Sequence, residues 1–381
     1  MKILMILSKL PKTFRSDARV YNEAKSLVDA GHEVAVVAWD RRHEDDSGDV
    51  VAGIRIIRLY NDFIMKGLRK DLFRNPIWWR KAYRKGIELY KNGFDFSVVH
   101  CHDLDTLKTG AWLKKKFKCK LIYDAHEIFP YMLEGNVSNL VVWYASRMER
   151  QLLRYVDHII TVDEGYAEYF RKITNKPLTI IRNCKDLMGE YFPPSRKKFT
   201  LIYIGTLNRS RFFPQLLHVV GKIKDVKLII AAKKEDIDIY NEIDRLAKTF
   251  ENIEFLGSID GSEVLPLTKE GHAVVCLFDP ASKMNQIGSP NKLFEAMTTG
   301  RPIIVTKGTH AGDMVEQEHC GLAVEYSEKG LEKAIKLLRD NPALCEELGK
   351  NGLHAAQQKY NWALQQKELL KIYETMKGKT Y

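Results

Sequence analysis

Apolar and polar positions along this chain come in blocks. Residues 2–8 form a short apolar run that ends in a polar loop at 9–16. Val20, Ala24, Leu27 and Val28 then recur at helical spacing over residues 18–30, and Gly31 stops the pattern. Residues 33–38 form a second, β-rich apolar run. Strand, loop, helix, strand is the repeating unit of a parallel sheet, because parallel neighbours need a crossover between them. Further apolar runs lie at 54–59, 97–100, 120–123, 158–162 and 177–183, with helical patterns at 106–117 and 139–155. Three of these runs end in polar clusters, at 102–105, 124–127 and 163–164.

After Pro193 and Pro194 the pattern restarts. A strand at 199–204 leads into Gly205 and a polar loop, followed by a helix at 214–223. Strands are expected at 226–231, 253–255, 273–277, 302–305 and 323–324, with helical material from 328 to 377. Two alternating halves therefore meet near residue 190. They predict an α/β protein with two doubly wound, Rossmann-like parallel sheets. The length of 381 residues agrees, since one core stops growing at roughly 250–300 residues. Ligands of such sheets sit beyond the carboxyl ends of the strands, which directs attention to the polar clusters.

Composition removes several classes. The apolar fraction of 45% is that of a globular protein. Runs such as 228–232 and 274–278 are far too short to span a bilayer. The apolar start is followed by Lys9, Lys12 and Arg15 without a small-residue cleavage site, so it reads as a strand and a cytoplasmic location is expected. The six cysteines form no C-x-x-C pair, which suits reduced, buried thiols. Charge changes the picture more. The net charge is +11, and residues 51–120 alone carry 17 Lys/Arg against 6 Asp/Glu. Within residues 61–120, Lys66, Arg69, Lys70, Arg74, Arg80, Lys81, Arg84 and Lys85 mix with Phe73, Trp78, Trp79 and Tyr83. Two readings stand: a helix lying on an anionic membrane surface, or aromatics packed inward under a solvated basic face. No nucleic-acid module is recognisable, and nucleic acid is not an expected partner.

No G-x-G-x-x-G follows a strand, and neither G-x-x-x-x-G-K-[ST], H-E-x-x-H nor G-x-S-x-G occurs. The informative stretch runs Ser289, Pro290, Asn291, Lys292, Leu293, Phe294, Glu295, Ala296, Met297, then Gly300, Arg301, Pro302 and an apolar strand. Ser289 can cap a helix, with Pro290 in its first turn and Gly300 at its end. The free N–H groups of such a helix start suit a diphosphate. One turn further in, Glu295 can accept bonds from ribose hydroxyls.

This segment resembles the donor-site signature of family 4 (group 1) glycosyltransferases. Asp17-Ala18-Arg19-Val20, Ala30-Gly31-His32-Glu33-Val34, His102-Asp103-Leu104-Asp105-Thr106-Leu107 and Tyr123-Asp124-Ala125-His126-Glu127 resemble a subgroup of that family, as do Asn361-Trp362 and the helix behind them. The resemblance implies a GT-B fold, with two Rossmann-like domains facing a cleft. Residues 1–185 would bind the acceptor, joined by a returning helix at 362–378, and residues 190–360 would bind a nucleotide-sugar donor. It implies a retaining transfer of a sugar from a nucleotide-diphosphate sugar to a sugar, lipid-linked or other hydroxyl acceptor, in polysaccharide or glycolipid assembly. No cofactor or metal is expected. His126 and Glu295 are the expected catalytic residues. The donor would meet Gly205, Thr206, Arg209, Arg211, Ser289, Asn291, Lys292, Leu293, Glu295 and Glu316, the last in a loop at 312–316. Asp17, Arg19, His102 and Asp103 would lie on the acceptor side. Two positions depart from the family: Thr206 stands where Arg is common, and Ile287 replaces the first Glu of E-x7-E, with Asn285, Gln286 or Gly288 as substitutes. Closure of the domains would exclude water from the reaction.

Three rivals remain open on sequence. A nucleotide-sugar epimerase would convert the donor alone. A metal-dependent transferase would use Asp103 and Asp105. A non-catalytic sugar-nucleotide or polyanion-binding protein would bind without turnover. His100 with His102 suggests a metal pair only if further ligands join them.

Overall fold

The computed structural model describes residues 1–10, 13–41, 49–67, 71–134 and 137–377. Lys12, Arg69, Lys70 and position 378, all named above, lie outside the described residues. The chain divides into two compact units: Met1–Arg182 together with the chain from Gln366 onward, and Asn183–Gln365.

In the first unit, β1 (Lys2–Leu7) leads to α1 (Ala18–Asp29) and β2 (Glu33–Asp40). Next come β3 (Val50–Val51), β4 (Ile54–Tyr60), α2 (Phe63–Gly67), α3 (Asp71–Lys91), β5 (Val98–His102) and α4 (Leu104–Phe117). The unit continues through β6 (Lys120–Ala125), α5 (Phe129–Leu133), α6 (Asn139–Leu153), β7 (His158–Thr161), α7 (Glu164–Ile173) and β8 (Leu178–Ile180). The strands form one sheet in the order β3-β4-β2-β1-β5-β6-β7-β8. Every pairing is parallel except β3 with β4. The order reverses between β1 and β5, so the loops after those two strands flank one crevice at the carboxyl edge. Asp17 starts α1 beside that crevice, its carboxylate accepting the Val20 N–H at 3.2 Å.

The second unit runs β9 (Phe199–Ile204), α8 (Gln215–Gly221), β10 (Val226–Ala231), α9 (Ile237–Ala247), β11 (Ile253–Gly257), α10 (Val264–Glu270) and β12 (Ala273–Cys276). It continues with α11 (Lys283–Ile287), α12 (Asn291–Thr299), β13 (Ile303–Thr306), α13 (His310–Gln317), β14 (Gly321–Val324), α14 (Glu328–Asp340) and α15 (Pro342–Gln358). Helix α16 (Trp362–Lys377) begins in this unit and ends in the first. The sheet order is β11-β10-β9-β12-β13-β14, all parallel, with its reversal between β9 and β12.

Successive strand residues face opposite sides, and each side has its own core. Val275 packs with Leu201, Tyr203 and Leu228, while Val274 and Cys276 pack with Leu293, Phe294 and Val305. All six cysteines are buried.

Several expectations change on contact with the structure. Ser289 does not cap α12. Pro290 takes the cap position in an extended conformation, and the Ser289 hydroxyl donates to Met314 Sδ at 3.0 Å. Residues 312–316 are not a loop but part of α13, capped by the Thr309 hydroxyl accepting from the Gly312 N–H. Trp78 and Trp79 are buried, Trp78 stacked on Trp39 with ring centres 5.3 Å apart, so these two aromatics face the core. Among the described residues no helix is long and apolar enough to cross a membrane.

Candidate functional site

The crevice of the first unit is filled by its own charges. Asp124, the penultimate residue of β6, is fully buried. Arg19 approaches it from α1 as a two-pronged donor, Nε to Oδ2 at 3.1 Å and Nη2 to Oδ1 at 2.7 Å. The third nitrogen of Arg19 donates to the Ile181 carbonyl at 2.7 Å. Burial alone would raise the Asp124 carboxyl, but Arg19 and then His126 outweigh it and hold the group well below the usual carboxylate range. Glu23, one turn along α1 and 3.2 Å from Arg19, is also fully buried. Burial, then the charge of Asp124, push its carboxyl well up, so Glu23 is the neutral member of the pair.

Three histidines surround these carboxyls. His126 directly follows β6, and its Nε2 lies 2.7 Å from Asp124 Oδ2. With Asp124 ionised, that contact requires the proton on Nε2 and leaves Nδ1 as the acceptor of a neutral ring. Burial lowers the His126 pKa and so favours the neutral form. Asp103 fixes the same residue through its backbone, Oδ1 accepting the His126 N–H at 3.0 Å. Asp103 itself has φ 62°, an uncommon conformation for a residue with a side chain, and its N–H donates to the Asp124 carbonyl at 2.9 Å. His102 Nδ1 is 3.4 Å from Asp124 Oδ2. His100 Nδ1 meets the Tyr373 hydroxyl of α16 at 2.7 Å, and burial drives its pKa down to about 4.

Glu23, His100, His102 and Asp124 bring four donor atoms within 4.8 Å of one another. That grouping supplies the further ligands a histidine pair would need, yet it fits a guanidinium better than a metal ion. Both oxygens of Asp124 already receive Arg19. The His100 and His102 rings are stacked, 4.5 Å apart and 18° from parallel. A ring-nitrogen lone pair lies in the ring plane, so nearly parallel stacked rings do not converge on one ion.

The crevice of the second unit gathers cations. Gly205 follows β9 with φ 148°, which favours glycine. A β-carbon there would sit 2.6 Å from Lys292 Nζ and 3.8 Å from Arg211 Nη1. The missing side chain is therefore the space in which two cationic ends converge. Lys292 comes from the first turn of α12, with its ammonium 4.7 Å from the centre of the Tyr203 ring. Arg211 lies over Phe278 at 5.2 Å and reaches the Thr206 carbonyl at 3.5 Å. The loops after β9 and β12 are tied together, the Asp279 N–H donating to the Ser210 carbonyl at 2.7 Å. Glu295 is 8% exposed and 3.3 Å from Lys185.

The expected residues thus divide. Asp17, Arg19, His102, Asp103 and His126 gather in the first unit, although Arg19 and His102 act through Asp124 more than toward solvent. Gly205, Arg211 and Lys292 gather in the second, with Asn291 and Glu295 on the same helix. Leu293 is core. Thr206 leans on Glu235 at 3.4 Å. Arg209 is drawn aside by Glu242, at 2.6 Å. Glu316 is exposed in the last turn of α13. At Ile287 no acid returns: Asn285 and Gln286 donate to the carbonyls of Asp279 and Pro280 and shape the loop. Sequence reading missed Lys185 and Tyr373. No local pattern marks either, and Tyr373 is 273 positions from its partner His100.

Comparison with known proteins gives the family and the fold. The family model "Glycosyltransferase Family 4" matches residues 17–187, and "Glycosyl transferases group 1" matches residues 198–341. An uncharacterised glycosyltransferase of Methanocaldococcus jannaschii is 21% identical over 98% of both chains. Sucrose-phosphate synthase of Thermosynechococcus elongatus superposes with a TM-score of 0.80 over 99% of each chain, at 18% identity. HepE of Anabaena, solved with UDP-glucose, superposes with a TM-score of 0.72 over 98% of this chain and 99% of its own, at 12% identity. At such identities the structural likeness is one of fold, and that fold is GT-B.

Proposed function

This chain belongs to the family 4, group 1 glycosyltransferases, and on that premise we propose that it moves a sugar, with retention of anomeric configuration, from a nucleotide-diphosphate sugar to a hydroxyl acceptor. The observation that carries the reading is the meeting of Lys292 and Arg211 above Gly205, beside the amino end of α12. A leaving nucleoside diphosphate gains negative charge as its bond to the sugar breaks. Two fixed cations and a helix start placed where that charge develops stabilise the transition state without reorganising. Glu295 accepts the ribose hydroxyls, with Lys185 beside it at 3.3 Å. The UDP-glucose held by HepE supports this class of donor.

The first unit takes the acceptor. Asp103 and Asp124 hold His126 in one orientation and one tautomer, with Nδ1 ready to accept a proton from a hydroxyl. The acceptor is a sugar, a lipid-linked compound or another alcohol, in polysaccharide or glycolipid assembly. The basic segment 61–120 meets an anionic lipid surface on the cytoplasmic side, where Lys66 and the exposed Phe63 and Phe73 are available. No divalent cation takes part. Asp103, the first acid of the metal-dependent rival, is engaged with the His126 backbone.

Thermal shift with nucleoside diphosphates tests the reading, since a ligand of the native state raises apparent stability. Uridine diphosphate should stabilise the protein. Lys292→Ala and Arg211→Ala should each weaken it by about 1.5–3 kcal/mol, the scale of a hydrogen bond to a charged group. A shift untouched by both substitutions removes the site. Turnover should survive a chelator, and its loss there would favour the metal-dependent rival.

A further inference from the structure

Helix α6 carries a surface that sugar transfer leaves unused. Leu140, Trp143, Tyr144 and Arg147 follow the spacing that places four side chains on one helix face. That face is turned to solvent: Leu140 is 72% exposed, Trp143 58% and Tyr144 47%. Val137, just before the helix, is exposed as well. The opposite face supplies Ala145, Leu152 and Leu153 to the core. One exposed apolar residue needs no explanation, but an aromatic stripe along a helix marks a contact.

Charge and position say what covers it. The one carboxylate of α6, Glu149, is fully buried and accepts from the hydroxyls of Tyr123 at 2.9 Å and Tyr169 at 2.6 Å. The charges left outside are Arg147 and Arg150, and the Arg147 guanidinium lies 5.7 Å from the Trp143 ring. A helix that follows a parallel strand runs back along the sheet, so α3 and α6 both start at the carboxyl edge. Both pack beside α4 on the same sheet face. Phe63, Ile64 and Phe73 are exposed near the start of α3, with Lys66 among them. Two separate apolar clusters along one rim, each beside cations, suit a broad flat partner with anionic headgroups. Trp and Tyr favour the headgroup level of such a surface.

We propose that the outer face of α6 docks on an anionic phospholipid surface, with Leu140, Trp143 and Tyr144 at the headgroup level and Arg147 and Arg150 on the phosphates. This docking turns the carboxyl edge of the first unit toward the lipid. Resting on the transferase reading, the acceptor is then a molecule held at that surface.

The test uses the full chain and vesicles of phosphatidylcholine with and without phosphatidylglycerol. Wild type should co-sediment with the anionic vesicles, less so as salt is added. The double substitution Leu140→Ser with Trp143→Ser should lower partition about tenfold or more, through lost apolar burial. Arg147→Glu with Arg150→Glu should remove mainly the salt-sensitive part. Unchanged binding in both variants overturns the proposal, as does a wild type that ignores anionic vesicles. A solution dimer that Trp143→Ser splits also overturns it, because a second copy would then be the occupant. The uridine diphosphate thermal shift, measured on the same variants, reports folding and stands or falls separately with the transferase reading.

Discussion

In the first unit the groups at the reversal of the sheet pair with one another, Arg19 with Asp124 and His126 with both Asp124 and Asp103, while the Glu23 carboxyl and Nε2 of His100 and His102 are buried without a hydrogen-bond partner. In the second unit the equivalent crevice holds two cations, Lys292 and Arg211, converging on a glycine. The same topology thus carries a network that pairs its own charges in one half and two converging cations in the other. The paired network fixes the orientation of one group, here His126. The converging cations are placed to take charge from outside. The difference teaches which half is organised around its own residues and which around an anionic ligand.

The strongest way to break the contrast is to unbalance the paired half. Asp124→Asn removes the carboxylate that Arg19 grips with two nitrogens, leaves Glu23 at 3.2 Å as its remaining acid, and should destabilise the protein by about 3–5 kcal/mol in urea unfolding. A loss below about 1 kcal/mol would mean that the pair is solvated.

Acid should sharpen the contrast next. His100 titrates near pH 4 in the folded chain against an ordinary value of 6.5. The unfolded chain therefore takes up a proton that the folded one refuses, so this contribution is full above pH 6.5 and fades as pH falls toward 4. Over that window the cost is about 3 kcal/mol, and His102 and His126 are shifted in the same direction. A melting series should show stability falling with acid, and His100→Gln should flatten it. An equal slope in the variant would assign the acid sensitivity elsewhere.

The smallest effect tests the cationic half. Arg209 is exposed and engaged with Glu242, so Arg209→Ala should change stability by less than about 1 kcal/mol and leave the uridine diphosphate shift almost intact. An effect on that shift as large as that of Arg211→Ala would show the loop rearranging to bring both arginines to the ligand.

The sequence by itself determined the alternation of strands and helices, the two parallel sheets and the family. Each of these rests on local periodicity or on a contiguous motif such as residues 289–297. It also placed Lys292 and Glu295 on one helix, because a helix face follows from spacing alone. Only the tertiary structure decided the rest. It turned Trp78 and Trp79 inward, moved the helix cap from Ser289 to Pro290, and separated Arg209 from Arg211. It joined Lys185 to Glu295 and Tyr373 to His100 across long stretches of chain. Such pairings depend on which surfaces the sheets bury and where their strand order reverses. Those are properties of long-range packing, and no short window of sequence encodes them.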